Sequence, residues 1–301
     1  MLHLFASLWP LFALILGGYA CRRMKFPNEE FWPGAERLNY FVLFPALLFK
    51  NLATAPLKNP ALPRVVLCVG LVLGLSWLAL SVLRRGFGWK AERFGVFVQG
   101  TLRFNTYIGL AAIGRVFGND GLTLVALLLA VTVPAVNVLS VYAFTSETSV
   151  RPTGLALTIL RNPLIAACLL GVIANLLGIQ LLGGTDSFLS FLATTSLPLG
   201  LLCVGAALQP QELRGETTAL LANSISRLAI VPALAYFLAR LLWLPAMESA
   251  ILVLFFALPS APTGYVLARQ LGGDARLMAG IITLQTLLSA LSLPLVMRIA
   301  M

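Results

Sequence analysis

The chain has 301 residues, 59% of them apolar and only 11% charged, and its mean hydropathy is +0.93. These values lie outside the range of soluble globular proteins and point to an integral membrane protein. A net charge of +10 would suggest nucleic acid in a soluble chain, but here the basic residues sit mostly in short loops between apolar stretches, where they report topology.

The apolar stretches are about 20 residues long, the length of a spanning helix, whereas barrel strands would alternate over about 10. The first, about 2–20, is followed rather than preceded by its basic cluster, Arg22, Arg23 and Lys25, so it reads as a retained span and not a signal peptide. The next spans are about 30–52, 61–84 and 92–117, the last containing the polar run Arg103, Asn105 and Thr106. The fifth, about 120–144, carries Pro134 and Asn137, and the sixth, about 155–179, opens with Arg161, Asn162 and Pro163. The seventh, about 185–208, holds Thr194, Thr195 and Ser196 ahead of Pro198, and the eighth, about 217–241, holds Ser224, Ser226 and Arg227. The ninth, about 246–270, contains "ALPSAPTGY" with Pro259 and Pro262, and the tenth, about 274–299, contains Gln285 and Thr286.

Basic residues favour one side. Arg22, Arg23, Lys25, Arg84, Arg85, Lys90, Arg93, Arg151, Arg214, Arg269 and Arg276 follow odd-numbered spans, against Lys50, Lys58, Arg64, Arg115, Arg240 and Arg298 on the other side. The positive-inside rule then puts both termini outside the cytoplasm, in a plasma membrane or bacterial inner membrane.

At an offset of about 153 residues Pro10 falls on Pro163, Gly18 on Gly171 and Pro45 on Pro198; at about 154, "FGNDGL" from Phe117 falls on "LGGDAR" from Leu271. This reads as a duplication of five spans, residues 1–150 and 151–301. An odd number of spans inverts the second copy. The expected fold is therefore an all-α membrane protein of ten transmembrane helices in two inverted five-helix repeats, an architecture of secondary transporters.

The same offset sets "LRFNTYIGLA" from Leu102 against "FALPSAPTGY" from Phe256. Pro259 and Pro262 each remove a backbone donor, and a broken helix is tolerated at membrane depth only where its backbone finds protein partners or lines a cavity. Spans four and nine are thus expected to be discontinuous, crossing at Asn105 and at Pro259 and Pro262. Half-helix N-termini meeting there would welcome an anion, with Arg103 adding charge and Asn105, Thr106, Ser260 and Thr263 adding hydrogen-bonding groups. Asn137 and Gln285 lie at a comparable depth. Kinks and interhelical bonding are the competing roles for such residues, and a position near the cytoplasmic end, reaching to the headgroups, is the competing role for Arg103.

"RFNTYIGLAAIGRVFGNDGL", "PAVNVLSVYAF" from Pro134, "RNPLIAACLLGVIAN" from Arg161 and "LPSAPTGYVLA" from Leu258 resemble bacterial members of the auxin efflux carrier family. The resemblance implies a fold similar to plant PIN-formed carriers and, more distantly, bile acid symporters, with scaffold and transport domains whose fourth and ninth helices cross. It implies small organic anions as substrates: carboxylates such as malonate or malate, or auxin-like aryl carboxylates. The plant pattern pairs a proline with an asparagine at the first crossover; Arg103 and Phe104 precede Asn105 here, so the break is marked more firmly in span nine than in span four.

The acidic residues fall in loops or at span ends, with Glu29, Glu30, Glu36 and Glu92 flanking the early spans. Ion coupling usually relies on an intramembrane carboxylate, so a potential-driven uniport, running as efflux, fits better than a sodium- or proton-coupled symporter, the nearest alternative. A receptor or scaffold without an anion site is the third reading. Cys21, Cys68, Cys168 and Cys203 are dispersed and the single histidine is His3, so no metal, cofactor or catalytic role is expected. Expected partners are the anion and membrane lipid, with a homodimer as one option and no nucleic acid.

Overall fold

The computed structural model describes residues 2–54, 60–144, 163–179 and 183–300. The expected features around Lys58, Glu147 and Arg151, and the pair Arg161 and Asn162, lie outside the described residues. Among the described residues the chain is entirely helical apart from connections, and five helices are long and apolar enough to cross a membrane by length and composition.

Helix α1 spans Leu2–Arg23. Helix α2, Phe31–Leu38, continues through a π turn at Asn39–Leu43 into α3, Phe44–Ala53. Helix α4 is Leu62–Phe87, α5 Ala91–Leu102 and α6 Thr106–Phe144. Inside α6 the chain kinks at Gly118, whose φ of 60° and ψ of −147° belong to a region essentially restricted to glycine. Then come α7, Pro163–Leu176; α8, Gly184–Ala206; a 3₁₀ turn at Pro210–Arg214; and α9, Thr217–Ile225. A π turn at Ser226–Ile230 joins α9 to α10, Val231–Leu241. Helices α11, Ala246–Phe256, α12, Thr263–Gln270, and α13, Ala275–Ala300, complete the chain.

Two packing groups form, each mixing early and late elements. In one, α1 packs on α8, and α3 on α7 and α8; in the other, α4 packs on α10, α10 on α11, and α5, α9, α11 and α12 on α13. The first group is held at close backbone range. Without a hydrophobic driving force between helices in lipid, association relies on small residues that let backbones approach. A Cβ at Gly205 would lie 2.6 Å from the Ile15 carbonyl carbon and 2.9 Å from the Tyr19 nitrogen, and one at Gly18 would lie 2.7 Å from the Leu202 carbonyl carbon. Gly205→Val is expected to push α8 from α1 and destabilise the protein by about 3 kcal/mol, the upper range for overpacking. A melting temperature in detergent equal to that of wild type would refute this. Asn39 joins the same group: its amide donates to the Ser196 carbonyl at 3.0 Å and accepts from the Ser196 hydroxyl at 2.9 Å.

The chain breaks where the polar run lies, at residues 103–105, and again at residues 257–262. The proline-free first break is as real as the second. Arg103 adopts φ −74° and ψ 138°, an extended conformation that ends α5. The two breaks cross, with the Asn105 N–H donating to the Pro259 carbonyl at 2.8 Å.

Candidate functional site

A broken helix in a membrane leaves end carbonyls and amides that need partners. The Thr101 and Leu258 carbonyls, at the C-terminal ends of α5 and α11, both accept from Arg227, at 2.9 Å and 2.6 Å. Arg227 is fully buried, and its cation sits where two half-helix dipoles end negatively. The side chain of Gln285 donates to the Gly100 carbonyl at 3.1 Å and to Asn223 Oδ1 at 2.9 Å, and accepts from the Ser260 N–H at 2.8 Å. Asn223 in turn donates to the Phe97 carbonyl at 3.0 Å, and the Ser260 hydroxyl to the Gln99 carbonyl at 3.3 Å. Helices α9 and α13 thereby tie down the ends of both breaks.

On the other face of the crossing lies a cavity of about 110 Å³. The first turns of α6 and α12 line it through Thr106, Tyr107 and Thr263, and helix N-termini carry partial positive charge. Asn105 caps α6, its side-chain oxygen accepting from the Ile108 N–H at 3.2 Å. The Asn105 Nδ2 group is buried at the cavity wall and has no hydrogen-bond partner among the described residues.

Arg103 completes the wall. Its guanidinium donates to Gln99 Oε1, to Asn137 Oδ1 at 2.8 Å and to Thr263 Oγ1 at 3.5 Å. All three acceptors are neutral, and among the described residues no carboxylate lies within ion-pair distance of it. These partners hold the Arg103 guanidinium at the crossing, on the wall of the cavity. The cavity therefore offers a cation, two helix N-termini and a free amide donor, which suits a small anion.

Of the residues expected at the site, Arg103, Asn105, Thr106, Asn137, Pro262 and Thr263 line the cavity. Pro259 lies in the second break, with its carbonyl bonded to Asn105. Ser260 and Gln285 lie behind the crossing, in the network that satisfies the broken backbone. Thr194 and Thr195, ahead of Pro198 in the seventh span, are exposed and return their hydroxyls to the Ser190 and Phe191 carbonyls of their own helix, at 2.9 Å and 2.8 Å. Sequence reasoning passed over Gln99, Tyr107 and Glu36. The signal for Glu36 was its spacing: Trp32, Glu36, Tyr40 and Phe44 recur every fourth residue along one helix face.

The cavity adjoins a larger one at one end. It shares Glu36 and Pro262 with a larger cavity of about 660 Å³ whose walls include Arg22, Arg23 and Arg269, at the end richer in basic residues. It shares no lining residue with a cavity of about 320 Å³ near Arg64, Asp120 and Glu248.

A family described as Membrane transport protein matches residues 152–297, just under half of the chain. The chain is similar to membrane transport proteins. An uncharacterized transporter of Methanothermobacter thermautotrophicus is 27% identical over 290 residues, covering 94% of this chain and 93% of the relative. An uncharacterized transporter of Methanocaldococcus jannaschii is 25% identical over 292 residues, covering 94% of each chain. The likeness is thus to transporters, and the five long apolar helices among the described residues are those of a multi-span membrane protein. Among the described residues no group of three His, Cys, Asp or Glu side chains is placed to hold a metal.

Proposed function

We propose that this protein is a secondary transporter of small organic anions, built as ten spans in two inverted repeats and working by alternating access, with the anion held at the crossing of the fourth and ninth spans. The observation that carries this reading is Arg103: a cation in an intramembrane cavity, hydrogen-bonded only to neutral groups, between two half-helix N-termini. Such a charge is costly at membrane depth and persists where it faces a partner or an aqueous path.

Size narrows the substrate. A cavity of about 110 Å³ has the volume of roughly four waters, well below the range of about 300–1,000 Å³ for drug-sized ligands. A short carboxylate of the malonate or malate class fits this space better than an auxin-like aryl carboxylate. A larger cavity adjoining the site at the basic end suits a carrier facing the cytoplasm by the positive-inside rule.

An uncoupled uniport is the expectation where no carboxylate sits plainly at the midplane, and Glu36, which lines the cavity, brings a carboxylate to the proposed anion path. The transport reading itself is tested with labelled malonate in proteoliposomes. Asn105→Ala is expected to raise the KM about tenfold, the worth of one hydrogen bond from a buried group to a charged one, with the melting temperature lowered only slightly. Unchanged KM in a folded Asn105→Ala protein would remove Asn105 from the site, and the lack of saturable flux of any small carboxylate by wild type would overturn the reading.

A further inference from the structure

We infer that Glu36 carries the proton in a proton-coupled, electrically neutral transport cycle, and that the cargo is a small carboxylate bearing one negative charge; this rests on the anion-transport reading. Among the described residues Glu36 is the one acidic residue lining either the 110 Å³ cavity or the 660 Å³ cavity, and it lines both. It projects from α2, in a stripe whose Trp32 and Pro33 line the larger space and whose Tyr40 and Phe44 line the smaller. Among the described residues it forms no ion pair. Among the described residues the other charged groups on these walls are arginines: Arg103 in the small cavity, and Arg22 and Arg23 of α1 and Arg269 of α12 in the large one. The remaining titratable groups facing it are Tyr107 of α6 and Cys203 of α8, both near enough to feel its charge, with Tyr19 and Tyr265 farther along the vestibule.

A lone carboxylate on an anion's path opposes that anion unless it has a task. Charge balance supplies one. When the carrier is empty, Arg103 and ionised Glu36 together leave the small cavity neutral. When a singly charged anion sits on Arg103, the cavity is neutral only if Glu36 is protonated. The two other combinations, an anion with ionised Glu36 and an empty site with protonated Glu36, each leave a net charge in a space of low dielectric, where an uncompensated charge is costly. The two neutral states are the ones fit to move through the occluded stage, so one proton crosses with each anion. By reciprocity, protonation of Glu36 tightens anion binding by the same factor that the anion raises proton affinity. A dicarboxylate enters this scheme in its singly ionised form.

The experiment uses proteoliposomes with labelled lactate as the singly charged probe, comparing wild type with Glu36→Gln. In wild type, an acid-outside pH gradient is expected to drive lactate accumulation together with acidification of the lumen, read by a trapped pH dye, and an imposed potential is expected to have little effect. Apparent affinity should fall on the order of tenfold between about pH 5.5 and 7.5, within the usual range of coupling between sites. Glu36→Gln holds residue 36 neutral, so its empty site carries the uncompensated charge of Arg103. This variant should lose pH-driven net uptake, retain lactate-for-lactate exchange and show affinity that no longer varies with pH; since its substrate is the same, titration of lactate cannot produce the difference. Equal pH-driven uptake by the variant, uptake driven by sodium or potential alone, or pH-independent affinity in wild type would each overturn the inference while leaving the carrier reading intact. Saturable malonate flux without any lactate uptake or exchange would overturn the singly charged cargo and this inference, and the absence of saturable flux of any small carboxylate in wild type would overturn the carrier reading with it.

Discussion

Replacing Arg103 with methionine is expected to abolish saturable anion binding, weakening affinity by on the order of 100-fold or more, because truncating one partner of a desolvated charge pair costs about 2–5 kcal/mol. The fold is expected to survive. The guanidinium bonds only to the side chains of Gln99, Asn137 and Thr263, while the backbone of both breaks is satisfied by other residues. Methionine fills similar space without a charge. Arg103→Lys should retain part of the affinity, since it keeps the cation but loses the planar fork that reaches three acceptors at once. Binding isotherms beside melting curves separate these effects. An Arg103→Met protein that binds the anion as wild type does, at equal stability, would place the site elsewhere.

The second large effect is expected at Arg227, and it is one of stability. Its guanidinium bonds the Thr101 and Leu258 carbonyls, which end α5 and α11 in the interior of the bundle. Each hydrogen bond from a charged donor is worth about 1.5–3 kcal/mol, so Arg227→Met should destabilise the protein by about 3–5 kcal/mol and leave two helix-end carbonyls unpaired. Lysine cannot span both carbonyls with one ammonium in the geometry of a guanidinium, so Arg227→Lys is expected to recover only part of the loss. The melting temperature in detergent measures this. A Met variant as stable as wild type would show that the ends of the breaks are held by Gln285 and Asn223 alone. The two arginines thus have opposite expected signatures: loss of Arg103 silences binding in a folded protein, and loss of Arg227 loosens the crossing itself.

The ends of most spans were legible because hydropathy and proline are local properties. The expected second span, about 30–52, corresponds to α2 through α3, Phe31–Ala53, and the expected tenth, about 274–299, to α13, Ala275–Ala300. The break in the ninth span was legible for the same reason, since Pro259 and Pro262 cannot both continue a helix. The break in the fourth was visible only through its pairing with the ninth, because Arg103, Phe104 and Asn105 do not by themselves forbid helix. Which polar residue faces which way was not legible at all. Ser260 and Thr263 are three residues apart in one broken segment, yet the first bonds into the network behind the crossing and the second lines the cavity.

The sequence by itself determined the solvent this chain folds in, the segments that can cross it and the positions where a helix must stop, because burial in lipid demands about 20 apolar residues and a satisfied backbone at every step. Only the tertiary structure decided what those stops are for. Arg103 and Arg227 are the same side chain in equally apolar surroundings, but one meets neutral side chains at a cavity and the other meets helix-end carbonyls in a closed interior. Glu36 read as a residue flanking a span until α2 packed with its face toward the crossing and put its carboxylate between two cavities. Charge and hydropathy are carried by each residue alone, whereas a site is a relation among residues as far apart in the chain as Glu36 and Thr263, and packing is what sets it.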